Sequence, residues 1–93
     1  MNIPDSVTSI GERAFEGCES LKKVRLPKKL AEIGEFTFFL CDNLRAVEIP
    51  EGVERIGKDA FDGTDLKKVM IPKSVTSIGK EAFPKNTKLI RAE

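Results

Sequence analysis

Residues 21–38 read LKKVRLPKKLAEIGEFTF, and this stretch is the unit from which the rest of the chain is built. It holds a run of apolar residues spaced by charged ones, then a proline, an Ile-Gly pair and a phenylalanine. The same order recurs before and after it. Because self-similarity at a fixed period indicates a stacked repeat, the sequence predicts a coil of about four turns.

Three features recur at nearly constant spacing and set the repeat boundaries. They are the aliphatic-proline pairs Ile3-Pro4, Leu26-Pro27, Ile49-Pro50 and Ile71-Pro72, the glycines Gly11, Gly34, Gly57 and Gly79, and the phenylalanines Phe15, Phe38, Phe61 and Phe83. We therefore expect one block over residues 1–93, with repeats at approximately 3–25, 26–48, 49–70 and 71–93. The third repeat is shorter by one residue between Phe61 and Leu66, and deletions in repeats fall in loops, so a turn is expected there.

Within each repeat, alternation of apolar and charged residues predicts a short strand that ends at the proline. The predicted strands are 21–26, 44–49 and 66–71, with a frayed fourth copy at 89–92. Strands one repeat apart should pair in parallel in one sheet, and the crossover preference predicts a right-handed coil. The return path should be extended, with a single helical or 3₁₀ turn at 12–16, 35–40, 58–62 and 80–83. Each repeat glycine should supply a backbone conformation or a close approach that a Cβ forbids.

The combined pattern, L-x-x-V-x-I-P-x-x-V-x-x-I-G-x-x-A-F-x-x-C, resembles the BspA-like, surface-protein type of leucine-rich repeat from Ile3 to Ala92. The resemblance implies an α/β repeat that is mostly β, namely a short right-handed leucine-rich-repeat solenoid with one parallel sheet. It also implies adhesion or protein binding at the cell surface or outside the cell, with a host or matrix protein as partner, and no catalysis. The N-terminal sequence Met-Asn-Ile-Pro-Asp has neither the basic nor the apolar stretch of a signal peptide.

Composition narrows the possible functions further. The chain has 93 residues, with 16 basic and 15 acidic side chains, and it contains no His, Trp or Tyr. The absence of His removes the usual neutral-pH general base and the commonest metal ligand. Balanced charge and the lack of a long apolar segment argue against nucleic-acid binding and membrane insertion. We expect no enzyme activity, no cofactor, no metal site and no catalytic carboxylate pair, since the acidic residues fall on separate turns.

Two cysteines occupy equivalent positions on adjacent turns. Cys18 and Cys41 each follow a repeat phenylalanine by three residues, so they should be neighbours in space. Two buried thiols, a strained disulfide and a metal site are the three interpretations, and the last lacks enough ligands. Thr64 at the equivalent place in the third turn agrees with the thiols being simple packing groups.

Residues 21–26, 44–49, 66–71 and 89–93, which hold the predicted strands, are rich in basic residues, and the only acidic ones there are Glu48 and Glu93. The basic residues are Lys22, Lys23, Arg25, Arg45, Lys67, Lys68 and Arg91. Stacking should place Lys22, Arg45 and Lys67 in one column and Lys23, Lys68 and Arg91 in another. This surface, which we call the basic strand face, is either a solvated face that prevents aggregation or a docking face for an acidic protein or a sulfated glycan. Nucleic acid is disfavoured because no aromatic residues are interleaved to stack bases.

The second turn breaks the repeat at three positions, where apolar residues stand in place of charge, glycine or proline. Phe36 takes the place of Arg13, Asp59 and Glu81; Phe39 that of Glu16, Asp62 and Pro84; and Leu40 that of Gly17, Gly63 and Lys85. We call Phe36, Phe39 and Leu40 the apolar patch. It is either local packing under neighbouring loops or a contact surface for a partner or a second copy of the chain.

The ends of the predicted solenoid are a further feature. Residues 2–6 and 86–93 are too short to act as full caps, and uncapped ends expose apolar surface. We expect either a fragment of a longer surface protein or a designed structural repeat block with no partner of its own. In both cases a homo-oligomer assembled end to end through the uncapped ends is an alternative.

Overall fold

The computed structural model describes residues 1–92, and it shows a repeat built from short strands and turns. Seven strands are present in this range: β1 Lys23–Arg25, β2 Glu32–Ile33, β3 Ala46–Glu48, β4 Arg55–Ile56, β5 Lys68–Ile71, β6 Ser77–Ile78 and β7 Lys88–Arg91. Every pairing between them is parallel. The mostly-β repeat architecture expected from the sequence is therefore confirmed.

The predicted strand face is divided into two ladders instead of one continuous sheet. Strand β1 pairs with β3, and β5 pairs with β7. Asn2 extends the first ladder through a parallel bridge to Arg25. Between β3 and β5 no ladder forms in residues 1–92, and the Asp65 N–H donates to the Leu44 carbonyl (2.9 Å) just before β5. The interruption follows the one-residue deletion, which shifts β5 along β3.

A third ladder lies on the return path, where the sequence predicted only extended chain. Strands β2, β4 and β6 pair in that order, with Ile33 opposite Ile56 and Ile56 opposite Ile78. Each strand has only two residues, because the Ile-Gly pair and the following corner end it. The solenoid is thus held by hydrogen bonds between turns on two sides.

The predicted helical or 3₁₀ turn is wrong, since residues 1–92 contain no helix. Each of the four segments instead forms hydrogen-bonded turns around a residue in the left-handed region. These corner residues are Arg13 (φ 60°), Phe36 (φ 58°), Asp59 (φ 55°) and Glu81 (φ 56°). A residue with positive φ cannot continue a right-handed helix, so the corner closes as a turn.

The core is a set of stacked rows of equivalent side chains. The four repeat phenylalanines stack almost parallel, with ring centroids 5.1–5.3 Å apart. Phe38 and Phe61 are fully buried, as are the aliphatic residues Leu30, Val53 and Val75 that follow the prolines. Each turn therefore buries its apolar side chains against the next, as a repeat core requires.

The repeat glycines allow the turns to approach closely. A Cβ built on Gly57 would lie 2.8 Å from the Gly34 carbonyl carbon, and one on Gly79 would lie 2.5 Å from the Lys58 backbone nitrogen. The close approach expected at these two positions is confirmed. A Cβ on Gly11, in the first of the described turns, would meet nothing within 4 Å.

The last strand is present but has a different register from the one expected. A 23-residue period places Leu89 opposite Leu66, whereas in the structure Leu89 lies opposite Val69. Pro84 stands at the position of Asp62, whose N–H donates to the Asp59 carbonyl (3.3 Å). Proline has no N–H to close that turn, so the chain turns instead through the Thr87 N–H to the Pro84 carbonyl and reaches the strand sooner.

Candidate functional site

The apolar patch lies at the corner of the second turn, and its two aromatic rings pack on each other. Phe36 and Phe39 make an edge-to-face contact with centroids 5.1 Å apart and an interplanar angle of 85°. The Arg13 guanidinium lies over the Phe36 ring, 4.2 Å from its centroid. Both rings are half-buried. Part of the patch therefore packs locally, and part of each ring stays accessible.

Leu40 is the most exposed member of the patch. It is 46% exposed and has a φ of 62°. The equivalent residues in the first and third turns are glycines, Gly17 and Gly63, with φ of 71° and 77°. A left-handed conformation costs a residue with a Cβ about 1–2 kcal/mol, a cost that glycine avoids. The second turn thus holds an exposed leucine at a position where the backbone favours glycine.

The basic strand face is less positive than its sequence indicates, because acidic residues outside the strands reach it. Asp65 lies 3.0 Å from the Lys67 ammonium and 3.8 Å from the Arg45 guanidinium, and Asp5 lies 3.5 Å from the Arg25 guanidinium. Among the described residues, Lys22, Lys23 and Lys68 take part in no ion pair.

Asp5 also ties the first turn to the second. Its carboxylate accepts a hydrogen bond from the Lys28 backbone N–H (3.1 Å). This hydrogen bond, helped by the positive charges of Arg25 and Lys28, lowers the pKa of Asp5 below its ordinary value.

The predicted columns of basic residues form only in part. The register places Lys23 opposite Ala46 and Lys68 opposite Lys88. Arg91, predicted to stand beside Lys68, lies opposite Ile71 and donates to the Val75 carbonyl (3.0 Å). The Arg45 N–H donates to the Lys22 carbonyl (2.8 Å), so these two residues are neighbours as expected.

The two cysteines are free thiols. Cys41 is fully buried, and its Sγ donates to the Phe15 carbonyl (3.0 Å). Burial raises the pKa of the Cys41 thiol above its ordinary value. Cys18 is half-buried. The structure therefore agrees with the packing interpretation of this pair.

One side-chain cluster was missed from the sequence. Asp59, Asp62 and Glu81 bring one carboxylate oxygen each to within 4.8 Å of one another. The expectation that acidic residues stay apart on separate turns is wrong here. Asp59 and Glu81 occupy the same corner position in consecutive turns, so the repeat alignment contained the signal. We call these three residues the acidic triad.

Comparison with known proteins identifies the repeat. The family described as BspA type Leucine rich repeat region (6 copies) matches residues 1–91. No curated protein is similar enough in sequence to match. In residues 1–92, no helix has the length and hydrophobicity needed to span a membrane.

Three solved structures share the fold. A Treponema pallidum leucine-rich repeat protein has a TM-score of 0.78 at 30% identity, covering 92% of this chain and 46% of that one. A Bacteroides ovatus leucine-rich repeat protein has 0.66 at 32% identity, covering 92% and 29%. A leucine-rich cell surface protein from Faecalibacterium prausnitzii has 0.65 at 26% identity, covering 91% and 36%.

The chain therefore spans less than half the length of each of these three proteins. Families of this kind are generally non-enzymatic and mediate protein interactions, and BspA-type members are typically surface proteins. From the corner turns and phenylalanine stack to the match over residues 1–91, the observations agree: this chain belongs to the BspA-type leucine-rich repeat family.

Proposed function

We propose that the chain is a non-catalytic adhesion module of a cell-surface or secreted protein, and that it contacts a host or matrix protein through Phe36, Phe39 and Leu40. The observation that carries this proposal is Leu40, which is 46% exposed with a φ of 62° where the neighbouring turns have glycine. A residue that weakens the fold and stays accessible is best explained by a contact it makes.

The neighbouring surface supports the proposal. Aromatic side chains and arginine are enriched among residues that dominate binding energy, and Arg13 lies on the Phe36 ring beside Leu40's turn. The basic strand face is the alternative contact surface. It is supported less well, because Asp5 and Asp65 lie beside three of its basic residues.

The test compares variants on a panel of immobilised matrix proteins and on heparin. Leu40→Gly restores the residue of the equivalent turns, so the fold should be retained while binding to a matrix protein falls at least tenfold. Phe36→Ser with Phe39→Ser should do the same. Lys23→Glu with Lys68→Glu is the matched control and should leave that binding unchanged.

The control variant also separates the two surfaces. Loss of binding in Lys23→Glu with Lys68→Glu, together with retention in Leu40→Gly, would move the contact to the basic strand face. Salt-sensitive elution from heparin that this variant abolishes would identify a sulfated glycan as its partner. Circular dichroism of each variant verifies that the fold is intact.

Self-association of the 93-residue chain is the second candidate, and the hydrogen bonds of the corners favour it. In each of the first three corners an N–H donates to a carbonyl of the following turn, as from Phe15 to Thr37 (2.9 Å) and from Phe61 to Ala82 (2.7 Å). Among the described residues, the Phe83 N–H and the Ala14 carbonyl have no such partner. These two end groups are complementary, so a second copy can continue the ladder head to tail.

Gly11 provides a specific test of this assembly. In a stacked pair it would face the last turn of the second copy, as Gly79 faces Lys58 within the chain. Gly11→Ala should therefore leave the monomer folded and abolish the assembly. Sedimentation over a range of concentrations measures this, and a mass equal to the monomer at every concentration would rule the assembly out.

A further inference from the structure

The aromatic pair of the second turn has different neighbours on its two sides. On the side of the first turn, the Arg13 guanidinium lies over the Phe36 ring, 4.2 Å from its centroid. The same guanidinium donates a hydrogen bond to the Glu16 carboxylate at 2.9 Å. The ring therefore carries a cation on this side, and a carboxylate of the first turn holds that cation in place.

On the side of the third turn, the same repeat positions hold only carboxylates. Asp59 stands at the position of Arg13, and Asp62 stands at the position of Glu16. One oxygen of each lies within 4.8 Å of the other and of a Glu81 oxygen. Among the described residues, no ion pair includes a member of this acidic triad. This side of the aromatic pair thus has negative charge without the cation that the other side has.

The apolar patch and the acidic triad are continuous with each other. The Leu40 N–H donates to the Asp62 carbonyl (2.9 Å). The Leu40 side chain also reaches the third turn, because a Cβ built on Gly63 would lie 2.7 Å from the Leu40 Cδ2. Leu40 therefore lies against the residue that follows Asp62 and is still 46% exposed. We call the apolar patch and the acidic triad together the composite surface.

The carboxylates of the triad are accessible to a partner. Asp62 is half-buried and Glu81 is exposed. Asp59 is only 9% exposed as a residue, but every buried side-chain oxygen in the described part of the chain has a hydrogen-bond partner. The Asp59 carboxylate has none, so its oxygens are at the surface. All three side chains can therefore accept hydrogen bonds from a group outside the chain.

We propose that the composite surface binds an arginine side chain of the partner protein, an inference that rests on the contact surface proposed above. The stem of the arginine lies on Leu40 and Phe39, and its guanidinium contacts the carboxylates of the acidic triad. Arg13 makes the same two kinds of contact within the chain, one with a ring and one with a carboxylate. Arginine fits better than lysine, because its planar guanidinium has five N–H donors and stacks on aromatic rings.

The lysines beside the triad do not neutralise it. Lys58 and Lys80 directly precede Asp59 and Glu81 in sequence, but no ion pair among the described residues includes either lysine. A positive side chain of the partner is therefore attracted to the triad, whereas an acidic side chain in its place is repelled. The composite surface thus selects a basic segment that also carries apolar residues.

The experiment titrates the full, isotope-labelled chain with probe peptides and follows its backbone amides by nuclear magnetic resonance. The first probe is acetyl-Ser-Leu-Arg-Leu-Ser amide, and in the second probe glutamate replaces the arginine. The arginine peptide should shift the amide signals of Leu40, Asp62 and Glu81 and bind at least tenfold more tightly than the glutamate peptide. Added salt should weaken this binding, because it screens the charges.

Variants separate the two halves of the composite surface. Leu40→Gly removes the exposed apolar side chain, and Asp62→Asn with Glu81→Gln removes two charges of the triad. Each should bind the arginine peptide at least tenfold more weakly and stay folded, since neither changes a core residue. Glu51→Gln removes an exposed carboxylate in the turn after β3 and is the matched control, which should bind as the wild type does.

Three results would overturn the inference. They are no binding of the arginine peptide, equal binding of the arginine and glutamate peptides, and wild-type binding of the arginine peptide by Asp62→Asn with Glu81→Gln. Failure of the proposed function gives a different result, since Leu40→Gly would then retain binding to every matrix protein tested. If only the arginine inference fails, Leu40→Gly still loses that binding and the charge variant does not.

Discussion

Gly79 and Gly11 occupy the same position of the repeat, yet alanine should have opposite effects at the two. Neither glycine has a φ in the left-handed region, so alanine can adopt both conformations. At Gly79 the new Cβ would lie 2.5 Å from the Lys58 nitrogen and 2.8 Å from the Gly57 carbonyl carbon, both backbone atoms. At Gly11 it would meet nothing within 4 Å.

The expected changes in the free energy of unfolding follow from this geometry. Overpacking of a core lowers the free energy of unfolding by about 1–3 kcal/mol, and by more when the clashing atoms belong to the backbone. Gly79→Ala should therefore lower it by about 3 kcal/mol. A domain of this size has a free energy of unfolding of about 5–14 kcal/mol. Each kcal/mol lost lowers the midpoint temperature of thermal unfolding by about 4–8 °C. The midpoint temperature of Gly79→Ala should therefore be at least about 12 °C lower than that of the wild type. Gly11→Ala should gain about 0.4–1 kcal/mol, because alanine restricts the unfolded chain.

The assay is urea unfolding followed by far-ultraviolet circular dichroism, since the chain has no Trp or Tyr for fluorescence. Dilute protein keeps the measurement on the monomer. Gly57→Ala, whose Cβ would lie 2.7 Å from the Glu35 nitrogen, should behave like Gly79→Ala. If Gly79→Ala and Gly11→Ala differed by less than about 0.5 kcal/mol, the close stacking of turns at this position would be refuted.

Three further predictions concern the core. Phe61→Ala should lower the free energy of unfolding by about 3–5 kcal/mol and Phe15→Ala by about half as much. The reason is that Phe61 is fully buried between two rings, whereas Phe15 is half-buried against one. Equal losses measured by urea unfolding would contradict the stacking order. Without denaturant a thiol reagent should modify Cys18 well before Cys41, and in denaturant without reductant both should react. Burial raises the pKa of the Cys41 thiol. The contribution of this thiol to stability is therefore complete below the ordinary thiol pKa of 9.0 and is lost as the pH rises through the raised value. Thermal unfolding between pH 7 and 11, with Cys41→Ser as control, measures this loss.

The rows of the core were predictable because a repeat converts spacing in sequence into position in space. Phenylalanines at a period of 22 or 23 residues stack at 5.1–5.3 Å, and Gly57 and Gly79 make the close approaches that their recurrence indicates. Stacking in rows requires only that each turn be equivalent to the next, and the equivalence holds in the middle of the chain.

Spacing in sequence does not predict position in space where one turn differs from the next. Pro84 cannot close the turn that Asp62 closes, so β7 pairs with a register that the average period does not contain. The deletion before Leu66 likewise interrupts the ladder between β3 and β5. A period describes the average turn, whereas local backbone chemistry decides the individual one.

The charge of the basic strand face was overestimated for a related reason. Counting only the strand segments omits Asp5 and Asp65, which lie in loops and contact Arg25 and Lys67. Loop side chains are not constrained by the repeat, so their contacts could not be read from spacing. The acidic triad, by contrast, was predictable from spacing, because Asp59 and Glu81 share a repeat position and equivalent positions of adjacent turns lie side by side.

The apolar patch and the acidic triad lie along the same row of corners, and the backbone explains why. The corner is held by N–H donors to the following turn, from Arg13 to Glu35 (3.1 Å), from Phe36 to Lys58 (3.0 Å) and from Asp59 to Lys80 (3.1 Å). These bonds do not depend on the side chain, so the position accepts a cation, an aromatic ring or a carboxylate with the same fold. A row of side chains with little structural role is where a solenoid can acquire binding chemistry, and in this chain the aromatic and acidic corners are adjacent. Exchange of Phe36 for Asp should therefore preserve the fold and change only what the corner binds.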